Sequence, residues 1–566
     1  MRRFLPRPVD AAAAARLSRE LSIHPVTASV LIGRGIALPE QARRFLRPGG
    51  LPLHDPALLE DEERACAILR EAIGRGDRIA VYGDYDVDGV CGTAVLTRIL
   101  AFLGAKVRPF LPHRVEDGYG LNPDALTRLR AEGCGVVVTV DNGSTRADAI
   151  AEAEALGQRM IVTDHHETGE RLPTCPFLNP KRPGSGYPFA GLAGCGVALK
   201  LGLALARRMG RLEAPEFKAL LPDLLATVAI GTVADVVPLR DENRSIVQMG
   251  LLALETTRHA GLRALLAVSR VEGRRIRTSD VGFRLGPRIN AAGRMGSAQA
   301  ALDLLLSEDA AEAAALARSL EEGNRARQRL DRRQSAEALD RATRTLAQQD
   351  DPAIVLGDAS WHPGVIGIVA ARVAETCKRP TALIAVEGAE ARGSARSFGG
   401  VRLHEALARC DEHLLTHGGH AFAAGFTLRA DRIDLFRQAF LRAVSEQGSG
   451  PEGPREVDAE LPVDAISAPL SAEIDSLGPF GAGNEEPLFC AYGVRAAGRP
   501  RRVGPEGAHL VFYAASERTS VRAVAFGQAD HEDLLGGPLD LAFVLRKGEG
   551  QDPVEIHVRL LAAADG

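Results

Sequence analysis

Acidic and imidazole side chains recur at the ends of apolar runs in the first half of the chain. "RIAVYGDYDVDG" (78–89) carries Asp84, Asp86 and Asp88, "GVVVTVDNG" (135–143) carries Asp141, and "RMIVTDHHE" (159–167) carries Asp164, His165 and His166. Farther on, "LLATVAIGTVADVVPL" places Asp235 in an apolar stretch, where a lone carboxylate is costly to bury. Taken singly, each aspartate reads most simply as a turn or cap residue. Taken together they read as ligands. Carboxylates gathered at one edge repel one another, and a carboxylate bridging two Mn²⁺ or Mg²⁺ ions removes that repulsion. Two such ions about 3.5–4 Å apart can activate a water and stabilise an in-line displacement at phosphorus. If the first cluster is extended, period-two alternation sets Asp84, Asp86 and Asp88 on one face. A dinucleotide-binding reading fails, since no GxGxxG follows the first run.

The elements that must position these residues are legible around them. The runs are apolar throughout and alternate with helical stretches such as "CGTAVLTRILAFLGA" and "STRADAIAEAEALGQ". That pattern predicts a parallel sheet buried on both faces in an α/β fold, with ligands at the carboxyl ends of the strands. All three acidic clusters fall at such ends. Residues 308–350, rich in Ala, Leu, Glu and Arg, predict a long connecting helix broken near Gly323. A second, smaller α/β unit follows over 351–450, and "GSGPEGP" reads as a linker. The tail, 455–566, alternates short strands with turns and predicts a β-barrel or sandwich. Residues 1–50 read as a helical segment, which leaves 51–307 for the acidic clusters and their sheet.

Composition bounds the function. A chain of 566 residues is too long for one core, and its 45% hydrophobic and 25% charged content is that of ordinary globular protein. The N-terminus has no signal-peptide core and nowhere do ~18 apolar residues run uninterrupted, so a cytoplasmic protein with no membrane partner is expected. Eight cysteines without a CxxC pair fit buried reduced thiols better than a zinc site or disulfides. With a net charge of −4, any polyanion must meet a local basic groove.

"DYDVDG", "VDNG", "DHH" and "TVADVVPL", in this order, resemble the motifs of the DHH phosphoesterase superfamily. The resemblance narrows to its RecJ-type single-stranded-DNA exonucleases. It runs through "PHRVEDGYGLN", "GPRINAAGRMG", "WHPGVIGIVAARV" and "GGHAFAAGF" to "PFGAGNEEPLF". It implies a parallel-sheet DHH domain joined by the long helix to a smaller α/β DHHA1 domain, plus an OB-like barrel. It also implies a 5′-to-3′ exonuclease of DNA repair and recombination, with a single-strand-binding protein and a helicase as partners. By resemblance, Asp86 binds one of two Mn²⁺ or Mg²⁺ ions and Asp88 the other. Asp141 bridges them, and His165 and Asp235 complete the second site. His166 lies beside the phosphate or the second metal. Tyr82 stands where related pyrophosphatases have a ligating histidine, and Asp84 is the residue that could compensate.

The second half supplies candidates for the substrate. "ARGSARSFGG" and "HGGHAFAAGF" resemble the DHHA1 substrate-binding domain, and the resemblance implies phosphate contacts from Ser394, Arg396, Gly419 and His420. Arg114, Arg288 and Asn290 are the candidates from the first domain. His362 reads equally as a helix cap, and Trp361 as core. In the tail, Phe512 and Tyr513 are candidates for base stacking, with Arg501, Arg502 and Arg522 for phosphates. An ordinary strand with one of the two aromatics in the core reads equally well. Two other functions compete: a phosphodiesterase on short oligonucleotides or cyclic dinucleotides, and an inactive replication scaffold. The N-terminal segment and barrel argue against the first, and the complete set of metal motifs argues against the second.

Overall fold

Residues 78–82, 134–140 and 159–163 form strands because they are apolar on both faces. The computed structural model describes residues 4–47, 49, 53–112, 120–295, 297–448, 455–548 and 552–564. Arg114 lies outside them. Its first sheet is wholly parallel, in the order Lys106–Phe110, Arg78–Tyr82, Cys134–Val140, Arg159–Thr163 and Phe177–Leu178. Alternation divides the strands between two cores. Ile79, Val81, Val136 and Val138 join the helices Val87–Phe102, Gly194–Arg208 and Pro215–Ala234 on one face. Ala80, Tyr82, Val137 and Met160 pack with Leu126, Leu129 and Ile150 on the other. The helix Pro215–Ala234 is long and apolar enough to cross a membrane, but its buried side chains belong to the first of these cores.

The connecting helix runs unbroken from Ala310 to Gln348, contrary to the break expected at Gly323. Both halves are anchored. Ala313, Ala317 and Leu320 join the first core, while Ala338 and Ala342 join that of the second α/β unit. Packing at both ends outweighs the roughly 1 kcal/mol that a glycine costs inside a helix. The second sheet has the order Thr416–Gly419, Ala423–Arg429, Glu390–Arg396, Thr381–Glu387 and Ile354–Asp358, parallel only in its last pair.

The tail closes into a barrel. Phe489–Val503, His509–Ala515, Ser520–Ala525, Val554–Ala563 and Pro538–Lys547 pair in sequence, and the last strand returns to the first. The N-terminal segment belongs to this barrel: Leu17, Val30, Leu31 and Ala42 share one core with Phe489, Phe512, Phe543 and Ile556. The strand Phe4–Pro6 pairs in parallel with Arg455–Val457. Arg244 ties both to the first domain. Its buried guanidinium donates to the carbonyls of Leu477 and Phe45 and lies 3.7 Å from the Phe45 ring centroid.

Several tail candidates are otherwise engaged. Phe512 is core, so it cannot be a stacking platform, while Tyr513 on the opposite face is 39% exposed. Arg522 pairs with Glu555 and Arg502 with Glu532, while Arg501 is exposed.

Candidate metal centre

The acidic residues do converge, but not through an extended segment. The strand ends at Tyr82, and Asp86 caps the helix Val87–Phe102 by accepting from the Gly89 amide at 3.0 Å. Asp88 lies in the first turn of that helix, so a tight loop and a helix start replace the expected alternation. Gly89 permits it, since a Cβ there would lie 2.5 Å from the Asp84 amide nitrogen. Asp88 is fully buried and accepts from the amides of Gly194 at 2.6 Å and Cys195 at 3.0 Å. These begin the helix Gly194–Arg208, whose N-terminal amides and dipole favour a carboxylate.

Asp141 follows the central strand with φ at 64°, a left-handed conformation that aspartate tolerates better than most residues. Asp235 ends the helix Pro215–Ala234, where the dipole disfavours negative charge. Burial, with Asp88 and Asp86 beside it, pushes the Asp235 carboxyl up to about 8. Burial and the same two neighbours hold Asp141 well above the usual carboxylate range. Asp86 is raised too, by burial and by Asp88.

His165 sits among them with its imidazole depressed by burial. Its Nε2 lies 3.1 Å from Asp141 Oδ1, 3.5 Å from Asp235 Oδ2 and 3.8 Å from Asp88 Oδ2. Among the described residues these oxygens of Asp141 and Asp235 and both nitrogens of His165 are buried without a hydrogen bond. Buried polar atoms left so are what a cation would satisfy. Ligand atoms within 4.8 Å of one another form three overlapping groups: Asp84, Asp86 and Asp141; Asp88, His165 and Asp235; Asp141, His165 and His166. Oxygen and imidazole donors without thiolate suit Mn²⁺ or Mg²⁺.

Asp164 is the residue that the sequence reading left without a role. It is buried and accepts from the Ser144 amide, the His165 amide and His166 Nδ1, at 2.9, 2.8 and 2.8 Å. Burial opposes its charge, but His166 and Ser144 outweigh that and hold it at about 2. Burial likewise opposes charge on His166, yet the hydrogen bond and charge of Asp164 raise the imidazole to about 9. The signal was its position next to the pair. His166 is 40% exposed, so Nε2 is left for a ligand.

Among the substrate candidates, Arg396 donates to Ser394 Oγ at 3.0 Å and to its neighbour's carbonyl. Burial alone depresses it, and among the described residues no carboxylate pairs with it. Both side chains abut the first turn of the helix Ile366–Cys377, since a Cβ on Gly367 would lie 3.0 Å from each. A guanidinium, a hydroxyl and a helix N-terminus make an anion site. Gly419 has φ at 135°, and its neighbour His420 is exposed at the same end of the sheet, where its amide donates to Ala423, the residue paired with Arg396. Arg288 has a partner of its own, Glu321 of the connecting helix at 2.7 Å, and Asn290 is half-buried beside Arg288 on the helix Gly286–Met295. His362 accepts from the Gly364 amide at 3.0 Å, and Trp361 is core.

The helix Gly286–Met295 links this site to the aspartates. Gly293 lies against the Tyr85 carbonyl, where a Cβ would come within 2.6 Å, and Arg294 donates to the Gly364 carbonyl at 3.0 Å.

Comparison with known proteins places the fold. Models of the DHH family N-terminal domain, the DHHA1 domain and the RecJ OB domain match residues 78–232, 350–446 and 457–560. The single-stranded-DNA-specific exonuclease RecJ of Thermus thermophilus is 38% identical over 90% of this chain and 73% of its own length. The chain belongs to the RecJ family. The Bacillus subtilis RecJ is 36% identical over 91% of this chain, which spans only 65% of that relative's length. The crystal structure of the Thermus thermophilus RecJ with Mn²⁺ superposes with a TM-score of 0.84 at 33% identity, covering 100% of this chain and 79% of that one. Another exonuclease RecJ, bound to manganese, matches with a TM-score of 0.60 at 38% identity over 70% of this chain and 97% of that one. RecJ-family membership accounts for the parallel sheet and the closed barrel together, and the donor set at Asp141 is of the kind that suits the Mn²⁺ bound in those relatives.

Proposed function

We propose that this chain is a divalent-metal-dependent exonuclease that hydrolyses single-stranded DNA from its 5′ end, in DNA repair and recombination. The observation that carries the reading is the overlap of candidate cation groups at Asp141, joined through Gly286–Met295 to an arginine with no carboxylate partner among the described residues. Asp84, Asp86 and Asp141 would hold one ion, and Asp88, Asp141, His165 and Asp235 the other. Two such ions supply an activated water and stabilise charge at phosphorus. Asp164 keeps His166 protonated and oriented, so that Nε2 can donate to a non-bridging phosphate oxygen. Arg396 and Ser394 hold the terminal phosphate, which sets the distance from the strand end to the scissile bond.

The family membership supports the same assignment, and it favours cytoplasmic work beside a single-strand-binding protein and a helicase. The test is digestion of 5′-labelled and 3′-labelled single strands, and of duplex, in Mn²⁺, Mg²⁺ and chelator. The reading requires metal-dependent loss of the 5′ nucleotide first and a resistant duplex. Release from the 3′ end, or equal attack on duplex, would overturn it.

A further inference from the structure

The helix that follows Asp235 begins with a run of residues that the mechanism does not use. Glu242, Asn243, Arg244 and Ser245, at the start of Asp241–Thr256, are consecutive, polar and each at most 1% exposed. Charged residues are rarely buried so fully unless they are paired. Here each is spent on a different part of the molecule. Glu242 takes Lys200 and the Tyr187 hydroxyl, and Arg244 takes the carbonyls of Leu477 and Phe45. Asn243 goes to the supports of the metal centre.

Its Nδ2 donates to the Gly191 carbonyl at 2.6 Å and to the Pro238 carbonyl at 3.0 Å. Gly191 stands just before Gly194 and Cys195, whose amides hold Asp88. The same turn backs Asp141, since a Cβ on Gly194 would lie 2.6 Å from Asp141 Oδ1. Pro238 stands just after Asp235. One amide therefore clips together the two short links that end on Asp88 and Asp235. The second link is strained. Val236, 69% exposed, has φ at 61°, and a β-branched residue stays in that region only where its surroundings over-determine it. The barrel grips the far end of the link: the Leu239 amide donates to the Ala482 carbonyl at 2.7 Å, and Arg240 donates to the Gly483 carbonyl. There "TVADVVPL" and "PFGAGNEEPLF" meet. Among the described residues, Asn243 Oδ1 is buried without a hydrogen bond. Turning the amide over would set that oxygen against two carbonyls, so the assignment holds. An apolar side chain of similar size would avoid the cost of the unmet acceptor.

We propose that Asn243 is a positioning residue of the second cation site, fixing the separation of Asp88 and Asp235 before an ion arrives. The inference rests on the proposed function and adds to it the device that presets the ligands. Without an ion, the charges of Asp86 and Asp88 drive Asp235, whose side chain is 22% exposed, toward solvent. The tie through Asn243 opposes that movement, so the cation meets ligands already in place.

The test compares the full chain with Asn243→Ala by titration calorimetry with Mn²⁺, without DNA. The variant should bind one of its two ions about 10- to 100-fold more weakly, the usual effect of removing a group that orients a metal ligand. Its cleavage of a 5′-phosphorylated oligothymidylate should fall at limiting Mn²⁺ and recover at saturating Mn²⁺, with KM for the strand unchanged. Leu129→Ala is the control, because Leu129 is fully buried in the core on the other face of the same sheet. It should lower the melting temperature and leave Mn²⁺ affinity at the parent's value. Asn243→Ser keeps one short donor and should show a smaller loss in the same direction, which decides the matter if Asn243→Ala does not fold. Unchanged Mn²⁺ affinity in a folded Asn243 variant, or an equal loss in Leu129→Ala, would overturn the inference and leave Asn243 a structural residue only. A parent that binds Mn²⁺ but does not release the 5′ nucleotide would defeat the proposed function, while the calorimetry would still decide the role of Asn243.

Discussion

The first domain's sheet edge and the second domain's anion site are unbalanced in opposite senses. At the first, Asp84, Asp86, Asp88, Asp141 and Asp235 gather with two imidazoles, and burial and mutual repulsion raise three of the carboxyls. At the second, Arg396 is depressed by burial, and among the described residues no carboxylate offsets it. Elsewhere, buried Lys200 is matched by Glu242 at 2.5 Å, and buried Arg244 is held by the carbonyls of Leu477 and Phe45. A matched pair is finished by folding, whereas under the proposed function each unmatched wall would be finished by what it binds: cations on one side, a phosphate on the other. The difference separates scaffold from site more sharply than burial does.

The largest effect expected from upsetting that contrast is at the carboxylate common to two of the groups. Asp141→Ala should reduce hydrolysis by more than the about 10–100-fold typical of residues that merely support a metal ligand. The metal-free variant should melt above the wild type near pH 8, because a repelling carboxylate is gone. Cleavage within tenfold of wild type in Mn²⁺ would deny Asp141 a shared role. On the opposite wall, Arg396→Ala should cost about 1.5–3 kcal/mol on 5′-phosphorylated strands and far less on 5′-hydroxyl strands. Single-turnover rates on both substrates decide it, and equal losses would move Arg396 from the strand end to the general backbone.

A smaller effect is readable without substrate. Asp235 at about 8 and His166 at about 9 both lie above their unfolded values of 3.8 and 6.5. Folding therefore binds protons in that window, and the stability of metal-free protein should fall as the pH rises from about 6.5 to 9. Mn²⁺ displaces the carboxyl protons and should flatten or reverse the trend. Melting temperatures in chelator and in Mn²⁺ at both pH values test this. A metal-free melting temperature that rises with pH would mean that the carboxylates are already compensated. The smallest effect separates two neighbours in the barrel: Phe512→Ala should destabilise by about 3–5 kcal/mol, as for a core aromatic, and Tyr513→Ala hardly at all. Similar denaturation midpoints for the two would contradict their opposite placement.

Strands were legible where apolar runs are continuous, and the metal cluster where an acidic or imidazole residue ends such a run. The way Asp86 and Asp88 reach the site was not, because an extended loop and a helix N-terminus have the same composition over a few residues. Asp164 has no role legible in the sequence and is a holder of His166, a role that rests on which atoms meet. Tyr513 and Phe512 could not be told apart, since alternation does not say which face is inside. The helix through Gly323 shows propensity overridden by anchorage at both ends.

The shared core of the N-terminal helices and the barrel has a consequence for how the molecule is made. Arg7 and Glu456, joined at 2.7 Å beside the paired strands, are 449 residues apart. At about 5–20 residues per second of synthesis, the first helices wait roughly 20–90 s for the surface that buries Leu17, Val30 and Leu31. During that interval the nascent chain carries an uncovered apolar face on these helices. The catalytic domains meanwhile emerge with their own cores complete. The N-terminal helices are thus made well before the barrel and become native only with it.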